Sequence, residues 1–423
     1  MEKVNLKDKI VLVWDNGLFV EIAITLSKHF KKVMYYTEWR SSFPSKKGVM
    51  IGEGLEGIER VTDVWSHIEE VDLFVFPDCY YGPEQEYLRS IGKRVFGGGN
   101  GDELELWRDD AKEHFKKLDL PVSPYKVIKG LDELREYLKK KENCFIKINC
   151  YRGDGETWHH ENYRLSEPML NNLDNKLGPM KHDYEFVVED AVDGDDVVEA
   201  GTDLYTIDGQ YPKKVISGFE IKDLGYCGAV IEYSKLSPLV TGFNDKIVKT
   251  LKDYTYRGFM STEIRVGKDK IPYMIDHCSR AGSPPNELYQ NMISNWGDIV
   301  WYGAEGVMIE PIYKAKYGIE CLIHSDWASE NWQAIYFPDE IREWVKLRNA
   351  CKIGDTYYIV PQSDGLPEIG AVVAIGDSLD ECIKKVKKYA DQVEGYRLDI
   401  KTGSIENMKE VISKAEKLGI KIF

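Results

Sequence analysis

At 423 residues the chain has room for three or four domains or subdomains, and a 43% hydrophobic, 30% charged composition supports substantial cores. Its 71 acidic against 56 basic residues give a formal charge of −15, which argues against a nucleic-acid or anionic-membrane partner. No apolar stretch approaches spanning length, MEKVNLKDK lacks a signal-peptide core, and eight scattered cysteines without a CxxC pair fit reduced thiols in a cytoplasm better than a disulfide framework.

In chain order, DKIVLVWDN reads as an apolar strand running into Gly17 and a helical stretch from Leu18 to Phe30. KKVMYYTEW, DLFVFPD and KRVFGGG read as further strands, and this alternation predicts a parallel-sheet α/β unit over residues 1–106. Gly97 to Gly101 is a connecting loop, because no GxGxxG opens a helix there and no GxxxxGK[ST] occurs anywhere. DDAKEHFKKLDLP then spaces Ala111, Phe115 and Leu118 on one buried helix face and carries Lys112.

Residues 122–188 form a compact α/β stretch suited to a lid. Within it CFIKIN is a short apolar strand holding Lys147, followed by the loop Arg152 to Thr157 with Gly153 and Gly155. A lysine inside an apolar strand is costly to bury unpaired and is expected to face an anion. The glycines let backbone N–H groups close over phosphates. His159 and His160 have no partner at ligand spacing, so solvent exposure is expected for both.

In YEFVVEDAVDGDD an apolar strand ends at Glu189, and a turn through Gly194 reaches Asp195 and Asp196. The segment TEIRVGKDKIPYMIDHCSR reads as a hairpin: Thr262 to Val266 alternates, Gly267 to Lys270 turns, and Ile271 to Ile275 runs back. That pairing puts Glu263 and Asp276 on adjacent strands and one face. Two such carboxylates suit Mg²⁺, which completes its shell with substrate phosphates. Arg280 follows four residues later, placed to steady charge on a transferred phosphoryl group. Pro311 marks a boundary, and two amphipathic helices are expected around Leu379–Gln392 and Ile405–Leu418. Each element alone has an ordinary reading as a solvated charge or a plain turn. The ordered set is the specific signal.

That order resembles the ATP-grasp superfamily, and more narrowly phosphoribosylamine–glycine ligase (glycinamide ribonucleotide synthetase), from about Arg94 to about Ser404. VFGGGNGDELELWRDDAKEHFKKLDLPVSPY is similar to the entry into the nucleotide domain, with Lys112 at the first ATP-contacting lysine. CFIKINCYRGDGET resembles the second lysine, Lys147, with its phosphate-covering loop at Gly153 and Gly155. FVVEDAVDGDD resembles the hinge, where the resemblance implies that Glu189, Asp190 and Val192 present backbone to adenine and Asp196 takes the ribose hydroxyls. RGFMSTEIRV and YMIDHCSRAG resemble the two metal-binding strands, with Glu263, Asp276 and Arg280 in register and Cys278 where the family carries an asparagine ligand. Lys222 in SGFEIKD falls where a further basic residue faces the reacting phosphate, with Lys214 as its rival. GLPEIGAVVAIGDSLDECIKKVKKYADQVEGYRLDI resembles the small C-terminal domain.

The resemblance implies an α/β, ATP-grasp fold with an N-terminal parallel-sheet (Rossmann-like) domain over 1–106, a core over 107–121 and 189–310, a lid over 122–188 and a C-terminal domain over 311–423. It implies a cytoplasmic, ADP-forming ligase, a monomer or small homo-oligomer, using ATP and Mg²⁺ (or Mn²⁺) to join a small-molecule carboxylic acid and an amine through an acyl phosphate. Three stretches depart from the pattern: WDNGLFVEIA at the first turn, LGYCGAVIEYSKLSP, and Gly282 to Pro285 after Arg280. They concentrate where acid and acceptor would bind, which points to a changed substrate. Two other readings use the same residues. One is a non-catalytic ATP-binding module, which the poor match of a Cys278 thiol to Mg²⁺ favours. The other is a carboxykinase-like enzyme that releases the acyl phosphate.

Overall fold

The computed structural model describes residues 4–37, 50–150, 156–192, 197–221, 224–362, 367–403 and 408–421. The strand Ile10–Asp15 is apolar on both faces, with Val11, Leu12 and Val13 fully buried, as a central parallel strand requires. It lies in a five-stranded parallel sheet in the order Glu59–Arg60, Lys32–Thr37, Ile10–Asp15, Leu73–Val75, Arg94–Phe96. The helix after the first strand is shorter than expected, Val20–Ser27, and the glycine run ends in a single 3₁₀ turn at Gly99–Asp102.

A second, antiparallel sheet orders Tyr125–Lys129, Glu185–Asp190, Cys144–Ile148 and Thr157–His160. Ile146, Ile148, Phe186 and Val188 point to one face and pack with Leu131, Leu134, Leu138, Leu170 and Leu173 of the covering helices. By the two-residue period of a strand, Lys147 and Glu189 then point to the opposite face. His159 is exposed as expected, but His160 is not. Its ring is fully buried, bonded to the Ser166 hydroxyl at 2.7 Å and the Lys141 carbonyl at 2.9 Å, because these partners close over the end of the strand.

The largest sheet has eight strands, in the order Pro272–Cys278, Arg257–Val266, Val198–Ile207, Lys214–Ile221, Gly225–Glu232, Tyr317–His324, Glu368–Gly376 and Val345–Leu347. The chain beyond Pro311 therefore extends the same sheet, through Gly225–Glu232 paired with Tyr317–His324. One face is apolar: Val198, Ala200, Met260 and Ile264 pack against Phe243, Ile247 and Leu251 of helix Pro238–Asp253, and Ala415 and Leu418 of helix Met408–Leu418 join them. The other face carries the acidic residues. Gly201 stands opposite Glu263, and a Cβ there would come within 1.7 Å of the Thr262 carbonyl oxygen, so only glycine permits this strand approach. Among the described residues no helix is long and apolar enough to cross a membrane, and all eight cysteines are free thiols.

His277, between Asp276 and Cys278, turns to the apolar face and sits 6.2 Å from the Phe115 ring and 5.6 Å from the Phe243 ring. Burial holds its imidazole down to about 4, from 6.5 when free. The unfolded chain then binds more protons between those pH values, so the contribution is intact above pH 6.5 and is lost as pH falls toward 4, by about 3 kcal/mol in all. His277→Leu is expected to flatten that acid limb in urea-unfolding midpoints, measured near pH 7 and near pH 4.5.

Candidate active site

The expected hairpin forms, as Arg257–Val266 and Pro272–Cys278, with Glu263 directly opposite Asp276 and a bulge between Glu263 and Ile264. Across the cleft, Lys147 reaches down from the four-stranded sheet. Its Nζ donates to the Ile275 carbonyl at 2.7 Å and lies 3.6 Å from Asp276 Oδ2 and 3.5 Å from Glu189 Oε1. Lys112, on helix Arg108–Lys117, meets the same Glu189 oxygen at 3.0 Å. Both lysines are almost wholly buried. Burial pulls the Lys112 ammonium down by more than Glu189 restores. It acts likewise on Lys147, but there Asp276 and Glu189 outweigh it and the net shift is upward.

Glu189 is thus a side-chain counter-ion to both lysines, while its backbone pairs with Tyr125 and Phe145 in the sheet. The Asp190 N–H donates to the Pro124 carbonyl at 2.8 Å, and its carboxylate holds Lys141 at 2.6 Å. Val192 follows, half-buried. Gly153, Gly155, Asp196 and Lys222 lie outside the described residues. Lys214 is exposed at the opposite end of its strand from Glu220, roughly 20 Å along it, in a surface groove with Lys235, Lys314 and Lys316.

Arg280 is buried and its Nε donates to Glu105 Oε1 at 2.9 Å. Glu105 also accepts from the Ser279 N–H at 2.7 Å, so one carboxylate fixes both the arginine and its backbone. Burial disfavours the guanidinium charge, but Glu105 more than compensates and holds Arg280 well above its usual value. Glu105 is absent from the sequence reading, as is Arg108, which is buried one turn before Lys112 and donates to the Ile148 carbonyl. The spacing of Arg108 and Lys112 by four on one helix was a usable signal. Nothing local to DELELW marks Glu105 as the partner of a residue 175 positions away.

Glu199 and Asp203 alternate onto the face of Glu263, since Gly201 is its partner. Burial pushes Glu263 well up, and Glu199, Glu220, Asp276 and Asp203 add to the shift; burial alone raises Asp203 to about 6. Crowded carboxylates of this kind fit a cation, whose charge relieves their repulsion. Among the described residues, no group of three His, Cys, Asp or Glu side chains forms a ready cage. A hard cation held by Glu263 and Asp276 would therefore take its remaining ligands from substrate oxygens and water. Cys278 shares their face, opposite Ser261, and burial pushes its thiol well up, so it stays protonated and is a poor ligand for such an ion.

No protein-family model matches the sequence, and no curated protein sequence matches it. Solved structures do resemble the fold. Phosphoribosylamine–glycine ligase from Thermotoga maritima superposes with a TM-score of 0.65 at 15% identity, over 93% of this chain and 98% of that one. Biotin carboxylase from Campylobacter jejuni, in complex with an ATP analogue, gives 0.62 at 16% identity, over 96% of each chain. The biotin carboxylase domain of the 2-oxoglutarate carboxylase of Hydrogenobacter thermophilus, solved with MgADP and bicarbonate, gives 0.61 at 15%, over 97% and 98%. These are ATP-grasp enzymes, and the chain has the ATP-grasp fold.

If Lys112 and Lys147 exchange Glu189 for nucleotide phosphate, each supplies a charge-assisted contact of roughly 1.5–3 kcal/mol. Lys112→Ala and Lys147→Ala are expected to weaken a slowly hydrolysed ATP analogue by that amount in calorimetric titration. Unchanged affinity in both variants would overturn the assignment.

Proposed function

We propose that the protein is an ATP-dependent, ADP-forming carboxylate–amine ligase with a substrate pair of its own. The observation that carries this is the meeting of Lys147 with Asp276 at 3.6 Å, which joins a phosphate-suited lysine to the Glu263–Asp276 pair across one cleft. A carboxylate is a poor electrophile, and transfer of the ATP γ-phosphoryl group to it gives an acyl phosphate that an amine can attack, releasing phosphate. Lys112 and Lys147 bind the phosphates, and Arg280, oriented by Glu105, faces the charge that spreads on the transferred group. Mg²⁺ or Mn²⁺ on Glu263 and Asp276 supplies neutralisation of phosphate charge when bound. Beside Lys147 the four-stranded sheet limits water, which protects the acyl phosphate from hydrolysis. Gly153, Gly155 and Lys222 are proposed to complete the phosphate contacts, Glu189, Asp190 and Val192 the adenine edge, and Asp196 the ribose.

The test is a screen of carboxylic acids and amines read by phosphate release. Release that requires both an acid and an amine is the expected outcome, and release with acid alone identifies a carboxykinase-like enzyme. ATP binding without turnover identifies a non-catalytic module, the reading that Cys278 favours.

Cys278→Asn tests what the thiol contributes once wild-type turnover is known. It puts a hard oxygen where a protonated thiol stands, so it is expected to keep or raise turnover and lower the Mg²⁺ needed for half-maximal rate. Glu263→Gln and Asp276→Asn are expected to remove most turnover, and full activity in Asp276→Asn would refute the metal site.

A further inference from the structure

Resting on the ligase reading, we infer that the acceptor is a phosphate-free amine, because Asp15 fills the anion-receiving loop at the head of the parallel sheet. The strand order of that sheet reverses between Ile10–Asp15 and Leu73–Val75, and ligands of open parallel sheets enter at the carboxyl ends of strands flanking such a point. There the amides of the turn leading into helix Val20–Ser27 are natural donors to a phosphate. In this chain two of them, those of Gly17 and Phe19, are already taken. The Gly17 N–H donates to Asp15 Oδ1 at 2.5 Å and the Phe19 N–H to Asp15 Oδ2 at 2.8 Å, so each carboxylate oxygen holds one amide. The Tyr35 hydroxyl donates to Asp15 as well, and Asp15 is fully buried.

The loop is also roofed from outside. The Asn349 N–H donates to the Gly17 carbonyl at 2.9 Å, and Gly17 has a φ of +103°. A Cβ on Gly17 would meet Asn349 Oδ1 at 2.4 Å and Ile51 Cδ1 at 2.9 Å, which leaves no room for a phosphate on that side. A second carboxylate, Asp78, stands at the neighbouring strand end, where it accepts from the Cys79 N–H at 2.9 Å. A phosphorylated ligand would thus face two carboxylates at this loop, with the Gly17 and Phe19 amides already taken. The same strand end touches the phosphoryl-transfer side of the cleft, since the Ala281 N–H, next to Arg280, donates to the Pro77 carbonyl at 2.8 Å. An acceptor arriving there is selected by this chemistry.

The experiment titrates ribose 5-phosphate into the wild-type chain and Asp15→Gly, which removes the internal carboxylate and frees both amides. The expected result is no saturable binding by the wild type and affinity stronger by about tenfold or more in the variant. Saturable wild-type binding equal to that of the variant overturns the inference. Should Asp15→Gly fail to fold, paired acceptors assayed on the wild type decide instead: ethanolamine against phosphoethanolamine, and glucosamine against its 6-phosphate. The phosphate-free members are expected to support phosphate release and the phosphorylated ones are not, and the reverse preference overturns the inference. Turnover that needs no amine would remove the ligase reading, while the ribose 5-phosphate titration of the wild type still judges Asp15.

Discussion

Two ammonium groups buried at one carboxylate are the constraint on which the site depends. Lys112 and Lys147 both reach Glu189, and neither can sit in so dry a place without a counter-charge. Lys147 comes from one sheet, Asp276 from another and Lys112 from a helix between them. Their meeting therefore requires that hairpin register, lid-strand register and helix position all be right at once. The bond from Lys147 to the Ile275 carbonyl, with the contact to Asp276, ties the four-stranded sheet to strand Pro272–Cys278. Nucleotide phosphate arriving here would replace a carboxylate with a stronger anion, so binding exchanges one counter-ion for another instead of desolvating bare lysines.

The same logic runs on the far side of the cleft. Glu105 holds the Arg280 side chain and the Ser279 amide, which removes the arginine's freedom to swing before any substrate is bound. The acidic face of the eight-stranded sheet is the opposite case. Glu199 and Asp203 add to the burial that raises Glu263, and each has its own relief: Glu199 pairs with Arg265 at 3.0 Å, and Asp203 accepts hydrogen bonds from Tyr226 and Tyr289. The apolar packing of the sheet and the charged groups of the site thus lie on its two sides.

Local pattern carried much of this into the sequence. The hairpin was legible from strand alternation and a turn, but the direct Glu263–Asp276 pairing was not: five residues, 267–271, join the strands, and the bulge between Glu263 and Ile264 brings Asp276 into register. Lys147 was legible because an apolar strand makes a lysine anomalous. Glu105 and Asp15 were not, since their roles depend on partners brought together by tertiary packing or on loop geometry that composition does not encode. His160 misled for a related reason. Its burial depends on Ser166 and the Lys141 carbonyl, which a chain read residue by residue cannot bring over it. Lys214 stands at the opposite end of strand Lys214–Ile221 from Glu220, a distance along the chain that the sequence alone does not turn into a place in the cleft.

Helix Met408–Leu418 lies on the apolar side of strands drawn from Val198–Ile207 and Lys214–Ile221. On a ribosome those strands emerge well before the residues that cover them, by roughly ten to thirty seconds at ordinary elongation rates. During that interval helix Pro238–Asp253 can already pack on Val198 and Ala200, while the part of the face that Ala415 and Leu418 cover stays open to water and to other nascent chains. Yield should therefore be more sensitive to changes in helix Met408–Leu418 than its distance from the cleft implies.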